Sequence, residues 1–90
     1  MSEFVGIDVS KLQLDVCLHS VGTVFSVPNA EAGFKELCER LQAVSPQLVV
    51  LEATGGYERL CAASLAQSGV PVVIANARQV RAFGLTTKPH

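Results

Sequence analysis

Three short apolar runs place the strongest constraint on the fold of this chain. The runs at residues 4–9 and 48–52 each carry one carboxylate, and a third run covers residues 70–75. Apolar runs of this length, without regular polar alternation, are typical of strands that are covered on both faces of a sheet. Since segments long enough for helices separate the runs, right-handed crossovers predict that the three strands are parallel neighbours. The chain is therefore predicted to form an α/β domain.

The segment between the first two runs supplies further strands and a helix. Alternation over residues 12–19 predicts a strand with one solvated face, and residues 23–27 predict a β-branched third strand closed by Pro28. We expect Asn29 to cap the helix that follows and Ser45-Pro46 to end it. Its apolar face is predicted to consist of Phe34, Leu37, Cys38, Leu41 and Val44.

A second helix is predicted after the turn that follows residue 52, with Gly69 near its carboxyl end. Its predicted apolar face consists of Tyr57, Leu60, Cys61 and Leu65. A third, shorter helix is predicted from Asn76 to Phe83. The order is β-β-β-α-β-α-β-α in one mixed sheet, which is the ribonuclease-H-like order, although several other α/β domains share it.

Composition narrows the classes of protein. With 49% hydrophobic and 17% charged residues among 90, the chain is predicted to form one compact soluble domain. No apolar run approaches the roughly 20 residues that cross a bilayer, and no secretory signal is visible, so we expect a cytoplasmic location and no membrane partner. The widely spaced Cys17, Cys38 and Cys61 are interpreted as small core residues rather than zinc ligands.

Charge is distributed unevenly along the chain. All eight acidic residues precede Arg59, whereas Arg59, Arg78, Arg81 and Lys88 have no acidic residue after them. Such asymmetry is compatible with an acidic metal site beside a basic segment that faces a substrate, and equally with chance in a short chain.

Asp8 and Glu52 are the candidate catalytic and metal-binding residues. A carboxylate near the end of a buried strand is unfavourable unless it is paired or bound to a cation. If the two strands are adjacent and parallel, both acids meet at the carboxyl edge of the sheet, where Mg²⁺ or Mn²⁺ would relieve their repulsion. The alternative is that each acid caps a turn or a helix. Asp15 is the only nearby candidate for a third ligand, and its strand position favours a solvated role.

Candidate nucleic-acid contacts lie around these acids. The turn of Thr54, Gly55 and Gly56 offers backbone N–H groups to a phosphate at the start of a helix, or is a plain tight turn. Arg78 and Arg81, three residues apart, contact DNA phosphates or form a solvated basic helix face. Lys11 is a further candidate.

Three segments resemble the DEDD transposases of bacterial insertion sequences, the RuvC-like recombinases linked to bridge-RNA-guided transposition. They are residues 5–11 (VGIDVSK), 51–58 (LEATGGYE) and 76–83 (NARQVRAF). The resemblance implies a ribonuclease-H-like fold, dependence on Mg²⁺ (or Mn²⁺), and DNA strand cleavage and exchange. It implies that Asp8 is the first acid of the family's tetrad and Glu52 the second, with DNA as partner and guide RNA as a possible partner of the full-length protein.

The end of the sequence departs from the family pattern. Family members continue into a stretch with two more aspartates, whereas residues 84–90 read GLTTKPH. The family also has a nucleophilic serine in a carboxyl-terminal domain, and neither Ser10 nor Ser64 of this sequence matches it. We therefore expect residues 1–90 to be the amino-terminal part of a transposase nuclease domain, a homo-oligomer that is inactive in isolation.

Two alternatives remain open at this point. One is half of an actin-like or sugar-kinase-like ATPase, because those folds also open with a strand that reaches Gly-Ile-Asp. That alternative requires a small Gly/Thr-rich phosphate turn after the acid, and residues 8–11 (DVSK) lack it. The other is a catalytically dead nucleic-acid-binding or assembly module, which the absence of further acids favours.

Overall fold

The computed structural model describes residues 3–52 and 54–76, which form five strands and two helices. The elements in chain order are β1 (Phe4–Val9), β2 (Gln13–Leu18), β3 (Thr23–Pro28), α1 (Glu31–Val44), β4 (Leu48–Glu52), α2 (Arg59–Gln67) and β5 (Val72–Ala75). The predicted order of elements is confirmed as far as β5. The third predicted helix, from Asn76 to Phe83, lies almost wholly outside the described residues.

The strands form one mixed sheet in the order β3-β2-β1-β4-β5. β1 pairs antiparallel with β2, and β2 pairs antiparallel with β3, as expected for two consecutive hairpins. β4 is parallel to β1, and β5 is parallel to β4. The predicted parallel arrangement of the three apolar runs is therefore confirmed, and their carboxyl ends share one edge of the sheet.

The main core lies between the sheet and the two helices. Side chains of alternate strand residues, such as Val5, Ile7 and Leu51, pack there against Leu37 and Leu65 of the helices. A smaller cluster occupies the opposite face, where Val50 and Ala75 are buried against Phe4, Leu48 and Val73. Because side chains alternate along a strand, every residue of β1 and β4 is assigned to one of these two faces.

The start of α1 differs from the prediction. Ala30, in extended conformation, occupies the N-cap position, and no side chain caps the helix, so the assignment of Asn29 as the cap was wrong. Asn29 instead donates from its side chain to two distant backbone carbonyls. At Gly33, a Cβ atom would lie 1.8 Å from the carbonyl oxygen of Pro28, so the helix approaches the end of β3 at a distance only glycine permits. At the other end, Ser45 adopts a left-handed conformation at φ 49° and ends the helix, as predicted.

The predicted apolar faces of the helices are only partly correct. In α2, Cys61 and Leu65 are buried, whereas Leu60 is 72% exposed and Tyr57 lies before the helix and is 50% exposed. The helix begins two residues later than its pattern indicated, because the turn at Gly55 and Gly56 uses two positive φ angles before the first helical residue. In α1, Val44 is 38% exposed at the last turn.

The three cysteines are free thiols, and the interpretation as small core residues is confirmed for Cys61 and in part for Cys38, which packs against the main core. Cys61 is fully buried, while Cys17 and Cys38 are half-buried. Burial, with a smaller contribution from neighbouring Cys38, raises the pKa of the Cys61 thiol to about 12. Within residues 3–52 and 54–76, neither helix is long and apolar enough to cross a membrane.

Candidate metal centre

Three carboxylates lie at one level on one face of the sheet, and we call Asp15, Asp8 and Glu52 the acidic row. Asp8 of β1 is directly opposite Asp15 of β2. The parallel register of β1 and β4 pairs Ile7 with Leu51, so the next step along both strands sets Asp8 level with Glu52. All three side chains belong to the face of the smaller cluster, opposite the helices, because strand residues alternate.

Asp8 and Glu52 are both half-buried. Asp8 is only half-buried because its side chain projects from the face opposite α1 and α2 and lies one residue before the end of β1. Glu52 is the last residue of β4 and pairs with Ala75, the last residue of β5. Solvent therefore reaches both carboxylates while the strands hold their backbones in place.

Asp15 is held by its own neighbours on the sheet. Its Oδ1 accepts hydrogen bonds from Gln13 Nε2 and Ser26 Oγ, each at 2.7 Å. Gln13 Nε2 also donates to Ser26 Oγ at 3.2 Å. Asp8 lies directly opposite Asp15 across the strand pair. Like charges directly opposite each other destabilise a sheet.

The donor set of the acidic row fits a hard divalent cation. Backbones of adjacent strands are about 4.8 Å apart, so carboxylates that project from one level of β1 and β4 have access to a common ion. Mg²⁺ is commonly bound through one or two carboxylates and completes its coordination with water. Among residues 3–52 and 54–76, no group of three or more His, Cys, Asp or Glu residues is arranged to hold a metal ion. Nothing in this part of the chain resembles a zinc site, and Asp8 and Glu52 are the two carboxylates that the strand register sets level with each other.

The turn after β4 is organised around Glu58, a residue that the sequence patterns did not single out. Glu58 is only 7% exposed. Its Oε1 accepts hydrogen bonds from Thr54 N at 2.9 Å, Thr54 Oγ1 at 3.0 Å and Gly56 N at 3.1 Å. The backbone N–H of Thr54, followed by that of Glu58 itself, contributes most to lowering the pKa of this carboxyl to about 2. Glu58 is thus an ionised acid whose partners come from its own turn.

Asn29 joins the turn that follows β1 to the turn that follows β4. Its Nδ2 donates to the carbonyl oxygen of Ser10 at 2.8 Å and to that of Tyr57 at 3.0 Å. Its backbone N–H donates to the carbonyl oxygen of Leu12 at 3.0 Å. Both turns lie at the edge of the sheet where β1 and β4 end, so Asn29 links the segments that flank Asp8 and Glu52.

The other candidate contacts are distributed as follows. Lys11 is exposed in the β1–β2 turn, at the same edge of the sheet as the acidic row. Thr54 and Gly56 are half-buried and donate their N–H groups to Glu58, so a phosphate would compete with that carboxylate. Arg78 and Arg81 lie outside the described residues.

Comparison with models of known protein families shows the family to which this chain belongs. The family model for DEDD transposases of the IS110 type, described as a transposase, matches residues 5–89. The chain belongs to the IS110-type DEDD transposase family. The resemblance of the three sequence segments is thereby confirmed, and DNA is the molecule on which transposases act. Both Asp8 and Glu52 lie within the matched range.

No curated protein matches this member of the IS110-type family. Among solved structures it is similar to YeaZ from Pseudomonas aeruginosa, with 17% identity and a TM-score of 0.46 over 93% of this chain and 51% of that one. It is equally similar, at 17% identity and a TM-score of 0.46, to an uncharacterized protein with similarity to peptidase YeaZ from Pseudomonas aeruginosa, covering 93% of this chain and 50% of that one. The chain thus spans about half the length of these structures, and similarity at this level assigns no activity.

Proposed function

We propose that this chain forms the part of a RuvC-like, ribonuclease-H-like nuclease domain that carries the first two acids of a DNA transposase site. Family membership supports a transposase, and the sheet order β3-β2-β1-β4-β5, with β1, β4 and β5 parallel, is compatible with the ribonuclease-H-like order. The observation that carries the proposal is the register that sets Asp8 level with Glu52 on one sheet face.

In this proposal Asp8 and Glu52 hold Mg²⁺ or Mn²⁺ between two neighbouring parallel strands. The cation would offset the repulsion between the carboxylates, and the strands would keep the two acids oriented without rearrangement. When bound, divalent metal activates the attacking oxygen and stabilises the leaving oxygen of a phosphodiester. Two-metal sites of this kind use more carboxylates than two, so we expect residues 1–90 alone not to cleave DNA.

Contacts with DNA are proposed for the residues around this edge of the sheet. Lys11 is exposed beside the acidic row and would neutralise a phosphate of the bound strand. Arg78 and Arg81 are proposed for the same role on the basis of the matched family segment. The Thr54, Gly55 and Gly56 turn remains a candidate phosphate contact. Guide RNA, through the full-length protein, and self-association remain expectations.

A calorimetric titration with Mn²⁺ tests the proposed site. We expect wild-type protein to bind Mn²⁺ weakly, because two carboxylates anchor a metal less firmly than a complete site does. Asp8→Asn and Glu52→Gln should each abolish the binding heat. Glu39→Gln, a matched control at an exposed position of α1, should bind as wild type does. Unchanged Mn²⁺ binding in both site variants would refute the assignment.

A thermal-shift measurement separates this proposal from the ATPase alternative. A ligand that binds only the folded protein raises its melting temperature. We expect Mn²⁺ to raise the melting temperature and ATP without metal to leave it unchanged. A rise with ATP alone that survives Asp8→Asn would instead favour a nucleotide-binding domain.

A further inference from the structure

Asn29 makes the side-chain contacts that connect the two turns beside the proposed metal site. Its single amide donates to Ser10 O at 2.8 Å and to Tyr57 O at 3.0 Å. The hydrogen bonds of Ser10 Oγ and of the Glu58 carboxylate, by contrast, stay within their own turns. An amide that donates to two carbonyls at once fixes the separation of the backbones that carry them.

The two turns follow the strands that carry the acids. Ser10 comes two residues after Asp8, and Tyr57, in the turn of residues 55–58, comes five residues after Glu52. The ladder that pairs β1 with β4 ends at Ile7 and Leu51, one residue before each acid, so the segments beyond it also bear on the spacing of the two carboxylates. Metal affinity depends on ligand positions within about 0.5 Å, so a link between the two turns bears directly on the site.

Neighbouring contacts hold Asn29 in place for this role. Its backbone N–H donates to Leu12 O at 3.0 Å, which ties it to the tip of the β1–β2 turn. Ser10 N and Ser10 Oγ both bond to Gln13 O at 2.9 Å, so the carbonyl that Asn29 contacts belongs to a closed turn. On the other side, the turn that contains Tyr57 is closed by the hydrogen bonds to Glu58. Asn29 thus connects two turns that are each ordered internally.

We propose that Asn29 is a positioning residue that sets the distance between the Asp8 and Glu52 carboxylates and thereby controls the divalent-metal affinity of the site. This inference rests on the proposed function, because it concerns the metal site assigned there. Asn29 does not contact the metal in this account. It acts through the Ser10 and Tyr57 carbonyls, which hold the two strand ends at a fixed spacing.

The test uses Mn²⁺ alone as the probe and two substitutions of Asn29. Asn29→Asp keeps the shape of the side chain but removes both donors, and Asn29→Ala removes the contact without adding charge. We expect the Mn²⁺ dissociation constant to rise about 10-fold in both, as is typical when a group that orients metal ligands is lost. Weaker Mn²⁺ binding by Asn29→Asp is the stricter result, because the added negative charge alone would strengthen the binding of a cation.

Gln42 provides a matched control. Its Nε2 donates to Ser68 O at 3.4 Å, which is the same type of amide-to-carbonyl contact, but it joins α1 to the end of α2. Gln42→Glu and Gln42→Ala should therefore leave the Mn²⁺ dissociation constant unchanged. An equal loss of affinity in the Gln42 variants would contradict a specific role of Asn29.

Tyrosine fluorescence anisotropy supplies a readout that does not depend on the metal. Tyr57 is the one tyrosine in the sequence and the chain has no tryptophan, so the emission reports on this turn. We expect the anisotropy to fall in both Asn29 variants and to stay constant in the Gln42 variants, at a temperature well below melting. If Asn29→Ala does not fold, the isosteric Asn29→Asp carries the test.

The outcomes separate this inference from the proposed function. If Asp8→Asn and Glu52→Gln bind Mn²⁺ as wild type does, the proposed metal site fails. If those two variants lose Mn²⁺ while folded Asn29→Asp retains wild-type affinity, the site stands and the positioning role of Asn29 is refuted.

Discussion

Glu52 and Glu58 are only six residues apart, yet their surroundings differ completely. Glu58 is 7% exposed and accepts three hydrogen bonds from Thr54 and Gly56, so its negative charge is stabilised by donors of its own turn. Glu52 is half-buried at the end of β4, where the strand register sets it beside Asp8. Within the described residues no hydrogen-bond donor to the Glu52 carboxylate is recorded.

The difference separates a structural acid from a candidate ligand. A carboxylate whose oxygens already accept backbone N–H groups has little to gain from a cation. A carboxylate that lies level with another acid on the neighbouring strand gains from any cation that bridges the two. Burial alone would have favoured Glu58 as the candidate ligand, because it is the more buried of the two acids. The identity of the partners distinguishes the roles.

The largest expected effect on stability is that of Glu58→Ala. Removing this carboxylate leaves the N–H groups of Thr54 and Gly56 without their acceptor in a half-buried turn. We expect the free energy of unfolding, measured by urea denaturation, to fall clearly. Glu52→Gln should leave it nearly unchanged in the absence of metal. Equal destabilisation by the two substitutions would contradict the distinction between Glu58 as a structural acid and Glu52 as a candidate ligand.

Metal linkage reverses that ranking. At a Mn²⁺ concentration of 100 times the dissociation constant, a single site should stabilise wild-type protein by about 2.7 kcal/mol. Glu52→Gln should lose this gain, because one of the two ligands is removed. Glu39→Gln, at an exposed position of α1 away from the acidic row, serves as the control and should retain the gain. If Mn²⁺ stabilised Glu52→Gln as much as wild-type protein, Glu52 would not be a ligand of the site.

Acid pH tests the state of Glu58 in the folded protein. Its pKa is about 2 in the fold against 4.5 as the ordinary value, so the unfolded chain takes up the proton first as pH falls. The stabilisation by this carboxylate is thus complete above about pH 4.5 and is lost between there and about pH 2. Wild type should lose more stability than Glu58→Gln across this window in urea denaturation. Parallel curves for the two proteins would contradict the lowered pKa.

The smallest effect is expected for Thr54→Val. This substitution removes the hydroxyl that donates to Glu58 Oε1 at 3.0 Å and keeps the shape of the side chain and the backbone N–H. We expect a loss of about 1 kcal/mol in the free energy of unfolding. A loss as large as that of Glu58→Ala would mean that the hydroxyl, rather than the backbone N–H groups, is the main partner.

Much of the fold follows from local patterns, and the site follows from them in part. The apolar runs that end at Val9 and Glu52 predicted β1, β4 and their parallel pairing, because burial on both faces leaves a simple signature in sequence. That pairing was enough to bring Asp8 and Glu52 to one level. The metal-binding role of both acids stays a prediction.

The errors concern contacts between residues far apart in sequence. Asparagine is a typical helix-capping residue, but the side-chain amide of Asn29 donates hydrogen bonds to residues 19 and 28 positions away, and no local pattern encodes such contacts. Tyr57 matched the helical period, yet the two positive φ angles of Gly55 and Gly56 keep it outside α2. Glu58 was overlooked for a related reason. An acid two residues after the Gly-Gly pair was the available signal, since such a turn exposes N–H groups that need an acceptor.

Anomalous diffraction from crystals of this chain soaked in Mn²⁺ tests the central claim most directly. We expect an anomalous peak within metal-ligand distance of both the Asp8 and Glu52 carboxylates, and no peak at Glu58. A peak at Glu58, or no peak at the acidic row with Mn²⁺ well above its dissociation constant, would contradict it.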